Sequence, residues 1–232
     1  APSGDTRPRR VPAAAPGAAV AVAVAAFSPL SPPPLLLTSA ATAAVAAIWY
    51  YGTDKFFSVG YTPKQPIDYS HKLHAGNLGL DCLYCHTTVD KSSYAAIPST
   101  QTCMNCHAKV KGQSVVLEPL RKSYEADQAM PWVKVHRLPD YVYFNHSAHV
   151  NSGVSCVSCH GRVDQMVEVK QVQPLTMTWC LECHRNAAPN VRPAELVTKL
   201  DWKPERDPAE IGREIIAVKK INPPVNCSGC HR

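Results

Sequence analysis

With 21 prolines, 11 glycines and only four phenylalanines among 232 residues, the chain has little material for a conventional apolar core, and part of its 45% hydrophobic content is alanine in the first fifty residues. The length suits one or two domains. The formal net charge of +6 sits on scattered lysines and arginines, with Arg7, Arg9 and Arg10 as the one tight basic cluster, so the chain does not carry the basic patch of a nucleic-acid binder.

Residues 1–34 are alanine- and proline-rich, opening with Arg7-Pro8-Arg9-Arg10 and passing through the apolar Ala18 to Phe27, a composition shared by disordered and signal-like regions. Leu35 to Tyr51 is uncharged and ends in Trp49, Tyr50 and Tyr51, the amphipathic aromatics that settle at a membrane interface. It is just long enough for a single transmembrane helix, bounded here as 35–55. A removed signal peptide and a helix laid on a partner share this composition. Basic residues ahead of the span predict a cytoplasmic N-terminus, which puts everything after residue 52 outside.

Residues 56–232 contain one pentapeptide five times: Cys82 to His86, Cys103 to His107, Cys156 to His160, Cys180 to His184 and Cys227 to His231, each C-x-x-C-H. Two thiols one helical turn apart can each form a thioether to one vinyl group of a single porphyrin, and the adjoining histidine is then held under the iron. This is the attachment site of a c-type haem, and five motifs predict five haem c. The cofactor-binding residues are then Cys82, Cys85, Cys103, Cys106, Cys156, Cys159, Cys180, Cys183, Cys227 and Cys230, which account for every cysteine in the chain. Zinc ribbons pair their C-x-x-C units, so five units would strand one, and zinc has no need of a histidine after every second cysteine. A disulfide framework has no further cysteines for long-range bridges. Bacteria attach haem outside the cytoplasm, in agreement with the topology, and the haem propionates offset much of the basic excess.

Ten histidines divide evenly. His86, His107, His160, His184 and His231 complete the motifs, and His71, His74, His136, His146 and His149 remain, one for each haem that needs a second axial ligand. The match favours mostly bis-histidine, six-coordinate iron. Methionine could replace histidine on one haem and raise its potential, with Met177 and Met166 the best candidates and Met104 and Met130 further ones.

Two stretches form an internal repeat, about 66–112 and 141–188. The first runs Asp68-Tyr69-Ser70-His71-Lys72-Leu73-His74 and then through two motifs; the second runs Tyr143-Phe144-Asn145-His146-Ser147-Ala148-His149 and through two more. In a helical turn the histidines of an H-x-x-H pair leave one side at diverging angles, so one can bind the nearest haem and the other reach a second. Between the repeats, Leu117 to Gln128 reads as a short helix and Met130 to Asp140, with His136, as an extended stretch packed on a haem face. Asp207 to Lys219 reads as a helix with Pro208 near its start. The fifth motif, at 227–231, closes the chain without a repeat partner. The expected architecture is a mostly irregular multihaem cytochrome c domain with short α-helices and little sheet, behind a single N-terminal transmembrane helix.

The linkers carry a further likeness. Pro66 to His74, Ile97 to His107, Val135 to His146 and Gln173 to Cys180 resemble the pentahaem cytochrome c subunit of bacterial alternative complex III, and the resemblance runs from about residue 35 to the C-terminus. It implies a single-pass protein of the bacterial cell membrane with its haem head in the periplasm. It also implies, as partners in one complex, an iron-sulfur subunit, integral membrane subunits that bind quinol, and a monohaem cytochrome c. The complex would oxidise quinol and reduce a soluble periplasmic cytochrome c or cupredoxin. Residues 1–30 match nothing in that family.

The function expected is an electron-transfer subunit with no catalysis by the chain alone. A multihaem reductase would need an iron with an open coordination position, against which five spare histidines for five haems argue. An independent membrane-anchored quinol dehydrogenase would need its own quinol pocket, against which the narrow single span argues.

Overall fold

A computed structural model describes residues 34–53, 56 and 58–231. The N-terminal segment of the sequence analysis, with its arginines and the Ala18 to Phe27 stretch, lies outside the described residues apart from Pro34. The chain divides after Ala44 into two units. The first ends in the leading half of α1 (Pro34–Tyr51), an 18-residue helix with no charged side chain. Its serine and threonine hydroxyls are satisfied within the helix: Thr38 Oγ1 donates to the Leu35 carbonyl, Ser39 Oγ to Leu36 and Thr42 Oγ1 to Thr38, the usual arrangement when a polar side chain sits on an apolar helix. Among the described residues no helix is long and apolar enough to cross a membrane. At 1.5 Å per residue α1 measures about 27 Å, just under the ~30 Å hydrocarbon core of a bilayer.

The second unit, Val45–Arg232, is built of short helices and irregular chain. After a π-helical turn at Lys72–Asn77 come α2 (Cys82–Cys85), α3 (Thr100–His107), α4 (Glu118–Glu125), α5 (His146–Asn151), α6 (Cys156–His160), α7 (Met177–Arg185) and α8 (Pro208–Lys219). Among the described residues the β structure comes to two isolated bridges, Val142 with His231 and Val154 with Val191. The helix expected from Leu117 starts one residue later, at Glu118 with Pro119 at its second position, behind a 3₁₀ turn at Val115–Leu117. The helix after Asp207 forms where that residue and Pro208 direct: the Asp207 carboxylate accepts the Ala209 N–H, and Pro208, which lacks an N–H, occupies the first turn where none is needed. Met130 to Asp140 has no strand partner and stays irregular.

Capping distinguishes odd from even motifs. In the first, third and fifth, the residue before the first cysteine is the N-cap: Asp81 accepts from Leu83 N at 2.9 Å, Ser155 from Val157 N at 3.4 Å, and Asn226 from Gly229 N at 3.0 Å. The second and fourth motifs begin three residues deeper, in helices whose N-caps are Ser99 and Thr176. The alternation follows the repeat seen in the sequence and gives the paired motifs of each unit different helical settings.

The buried apolar side chains of the described residues are Ile67, Leu120, Ala188, Val191, Val197 and Leu200. Ala188 belongs to the 3₁₀ turn Ala188–Asn190, which packs on α8. There Gly212 presents bare backbone: a Cβ on it would stand 1.8 Å from the Ala188 carbonyl oxygen. A core this small in a unit this long accords with the composition, rich in proline and poor in phenylalanine.

Candidate haem-binding site

All ten cysteines are free thiols. Each C-x-x-C pair lies on a single helical turn, so neighbouring thiols project from adjacent positions of one helix. The motifs also touch one another. Asn105 Nδ2 of the second lies 3.5 Å from Tyr84 Oη of the first. The caps of the first and third are joined through Val197 and Thr198: Ser155 Oγ donates to the Val197 carbonyl at 2.6 Å, and Thr198 Oγ1 to Asp81 Oδ2 at 2.9 Å. The neighbouring Cys156 thiol, and then burial, push the Cys82 thiol well above its ordinary range. Burial likewise raises Cys159, to about 11.

The imidazoles share one arrangement. In seven of the ten, Nδ1 lies within hydrogen-bond distance of a backbone carbonyl: His74 with Ser70, His86 with Ala96, His107 with Val110, His146 with Ser93, His149 with Asn145, His184 with Pro224 and His231 with Tyr141, at 2.7–3.1 Å. A carbonyl only accepts, so Nδ1 must carry the proton. Nε2 then keeps its lone pair, the tautomer and orientation a metal ligand needs.

His71, His136 and His160 are the others. The Nδ1 of His71 is buried without a partner, and burial, followed by His86 and His74, lowers its pKa to about 4. Burial among His136, His146, His86 and His71 brings His160 down to about 3. Both rings are therefore neutral at pH 7. His136 lies edge-on to His160, ring centres 4.3 Å apart, with its Nε2 3.4 Å from His160 Nδ1.

Both H-x-x-H pairs have the same aromatic support. Tyr69 stacks on His74 at 4.5 Å and meets His71 edge-on at 4.8 Å; Phe144 stacks on His149 at 4.5 Å and meets His146 edge-on at 4.7 Å. Burial raises the Tyr69 phenol to about 12. The sequence showed an aromatic at this place in each repeat without revealing that it clamps both rings. The local backbones differ, a π-helical turn in the first unit and α5 in the second, yet the side chains superpose in role. The second histidine of each pair also faces a motif histidine: His74 and His107 have ring centres 6.1 Å apart, His149 and His184 6.0 Å. Met177 starts α7 with 64% of its surface exposed.

These residues fit haem c: free thiols at thioether spacing, imidazoles mostly oriented through Nδ1 by a backbone carbonyl, and little competing core among the described residues. Residues 142–232, which contain the last three motifs, match the family described as cytochrome c7 and related cytochrome c. A 98-residue stretch, 42% of this chain, is 35% identical to the protein of Nitratidesulfovibrio vulgaris (strain Hildenborough) named menaquinone reductase, multiheme cytochrome c subunit. The aligned stretch spans 46% of that relative, a little under half its length. Fold, motifs and likenesses agree: the chain is similar to multihaem c-type cytochromes.

Proposed function

We propose that this chain is the five-haem electron-relay subunit of a membrane quinol oxidoreductase complex of the alternative complex III type. The observation that carries the reading is the common setting of the imidazoles, seven of ten with Nδ1 on a carbonyl, beside five complete attachment motifs. When bound, haem c supplies reversible one-electron iron chemistry. The chain's own contribution would be to tether and orient. The ten cysteines would hold the porphyrins through thioethers. The five motif histidines and His71, His74, His136, His146 and His149 would supply imidazole ligands to the irons, with Met177 the alternative sulfur ligand. Intact mass spectrometry of matured protein should give the polypeptide plus five haems; four or fewer would sink the count.

In this reading α1 anchors the chain in the bacterial cell membrane, with the haem head in the periplasm. The uncharged helix with internally satisfied hydroxyls and a Trp49, Tyr50, Tyr51 end supports it. Protease added to intact spheroplasts should digest the haem head, and protection of the head would reverse the topology. The partners proposed are an iron-sulfur subunit, integral membrane quinol-binding subunits and a monohaem cytochrome c, with a soluble cytochrome or cupredoxin as acceptor. A second reading has support of its own: the relative's name, menaquinone reductase, describes electrons delivered to a quinone rather than taken from a quinol. The same relay would then run from a periplasmic donor toward the membrane.

A further inference from the structure

Resting on the haem reading above, we propose that Thr198 is a positioning residue: together with Val197 it sets the spacing between the haem carried at Cys82 and Cys85 and the haem carried at Cys156 and Cys159, one in each repeat. The two residues lie beyond the fourth motif, outside both repeats, and they reach in opposite directions. The Val197 carbonyl accepts from Ser155 Oγ at 2.6 Å and from the Cys156 N–H at 3.4 Å, which fastens the start of α6. The Thr198 hydroxyl donates to Asp81 Oδ2 at 2.9 Å, while Asp81 Oδ1 accepts the Leu83 N–H at 2.9 Å and caps α2. The two oxygens of one carboxylate are thus divided, the first closing its own helix and the second joining that helix to the other repeat. Ser155 is 1% exposed and Val197 5%, so packing holds the α6 end of the link in place. In each motif the residue after the cap is the first cysteine, and the Cys82 and Cys156 thiols are neighbours. Thioethers at these two sulfurs bring two porphyrin edges to one place.

The Thr198 link is suited to fixing geometry rather than to holding the fold. Thr198 is half-buried and Asp81 exposed, so a carboxylate oxygen released by the hydroxyl is met by water and costs the fold little. The repeats are also joined on another side through backbone groups. His146 N and Ser147 N donate to the Ser93 and Ser92 carbonyls at 3.2 and 3.1 Å, and Asn151 Nδ2 adds a bond to the Asp90 carbonyl at 2.9 Å. Loss of the Thr198 hydroxyl therefore leaves α5 docked on the loop after the first motif and frees only the relation between α2 and α6. The imidazoles of both repeats converge on the same region: His86 and His71 add to burial, His136 and His146 in lowering the pKa of His160.

The test uses the full matured chain and the Soret circular dichroism couplet that two close haems produce, whose amplitude depends on their separation and mutual angle. Thr198→Val, which keeps the shape and removes the donor, should retain every haem by mass and every low-spin signal by EPR, yet lose part of the couplet. Thr198→Ser should restore it. Gly212→Ala, which disturbs packing away from the link, should leave the couplet at its parental amplitude. Cys82→Ala with Cys85→Ala, which removes the first haem, should abolish the same component, after which Thr198→Val has nothing further to change. A parental couplet in Thr198→Val overturns the proposal, as does an equal loss in Gly212→Ala or a further loss in the chain without the first haem. Should these variants fail to mature, the fully reduced parental protein decides by NMR: a nuclear Overhauser contact between the β-protons of Cys82 and Cys156 is expected, and its absence refutes the arrangement. A haem count below five in the unsubstituted chain would instead count against the pentahaem reading itself, so the two failures are distinct.

Discussion

Gly212→Ala is expected to lower the melting temperature by about 4–8 °C, although alanine is the better helix former. The substitution improves helix propensity by about 1 kcal/mol. Against that, the new Cβ would lie 1.8 Å from the Ala188 carbonyl oxygen and 2.7 Å from its carbon, both backbone atoms that no rotamer change can clear. Helix α8 must then shift away from the Ala188–Asn190 turn, a displacement that costs about 3 kcal/mol, the upper part of the usual range for overpacking. The net loss of about 2 kcal/mol in a chain of this length gives the stated shift. Arg213→Ala, at the exposed neighbouring position, should leave the transition within about 0.5 kcal/mol of the parent. Scanning calorimetry on the two variants at one scan rate makes the comparison. Equal melting temperatures would mean that α8 does not rest on that turn.

The larger functional effect is expected with quinol. The purified chain alone should be reduced by dithionite and reoxidised by a soluble cytochrome, yet remain oxidised when mixed with a quinol analogue. Quinol gives up protons along with its electrons, so its oxidation needs a pocket with a proton acceptor at membrane level. Leu35 to Tyr51 contains no carboxylate, histidine, lysine or arginine, and its serine and threonine side chains, Thr38, Ser39 and Thr42, are occupied with helix carbonyls. Rapid quinol-dependent reduction of the lone chain, blocked by quinone-site inhibitors, would favour an independent quinol dehydrogenase. With the membrane partners restored, stopped-flow spectra separate the two directions. Haem reduction by quinol fits a quinol oxidase-type relay, and haem reoxidation by added menaquinone fits the chemistry in the relative's name.

What the sequence made legible is whatever chemistry writes into side-chain identity. Thioether attachment needs cysteines at one spacing, so the motifs stand out unaided. Asp207 and Pro208 announce α8 because capping and a missing N–H are residue-specific properties. The tethering of the imidazoles left no such mark. Their partners are backbone carbonyls, which every residue has, drawn from Ala96, Pro224, Tyr141 and Ser93 at separations of 10 to 90 residues. The same holds for Gly212, whose need for hydrogen in place of a side chain exists only once α8 and the Ala188 turn are packed together. His136 shows a different limit. Counting makes it the fifth spare ligand, while its position beside His160 depends on packing that counting does not reach.

The handful of buried apolar side chains has a consequence for how the protein is made. Among the described residues Ile67, Leu120, Ala188, Val191, Val197 and Leu200 offer too little apolar burial to offset the ordering of so irregular a chain. On the haem-relay reading, newly made polypeptide should therefore stay open and protease-sensitive until its cysteines are modified, and each attachment would then add a piece of interior that the genes for the chain do not encode. Cofactor supply becomes a checkpoint in biogenesis: under iron starvation the cell should accumulate degradation fragments of the head rather than a folded, colourless protein.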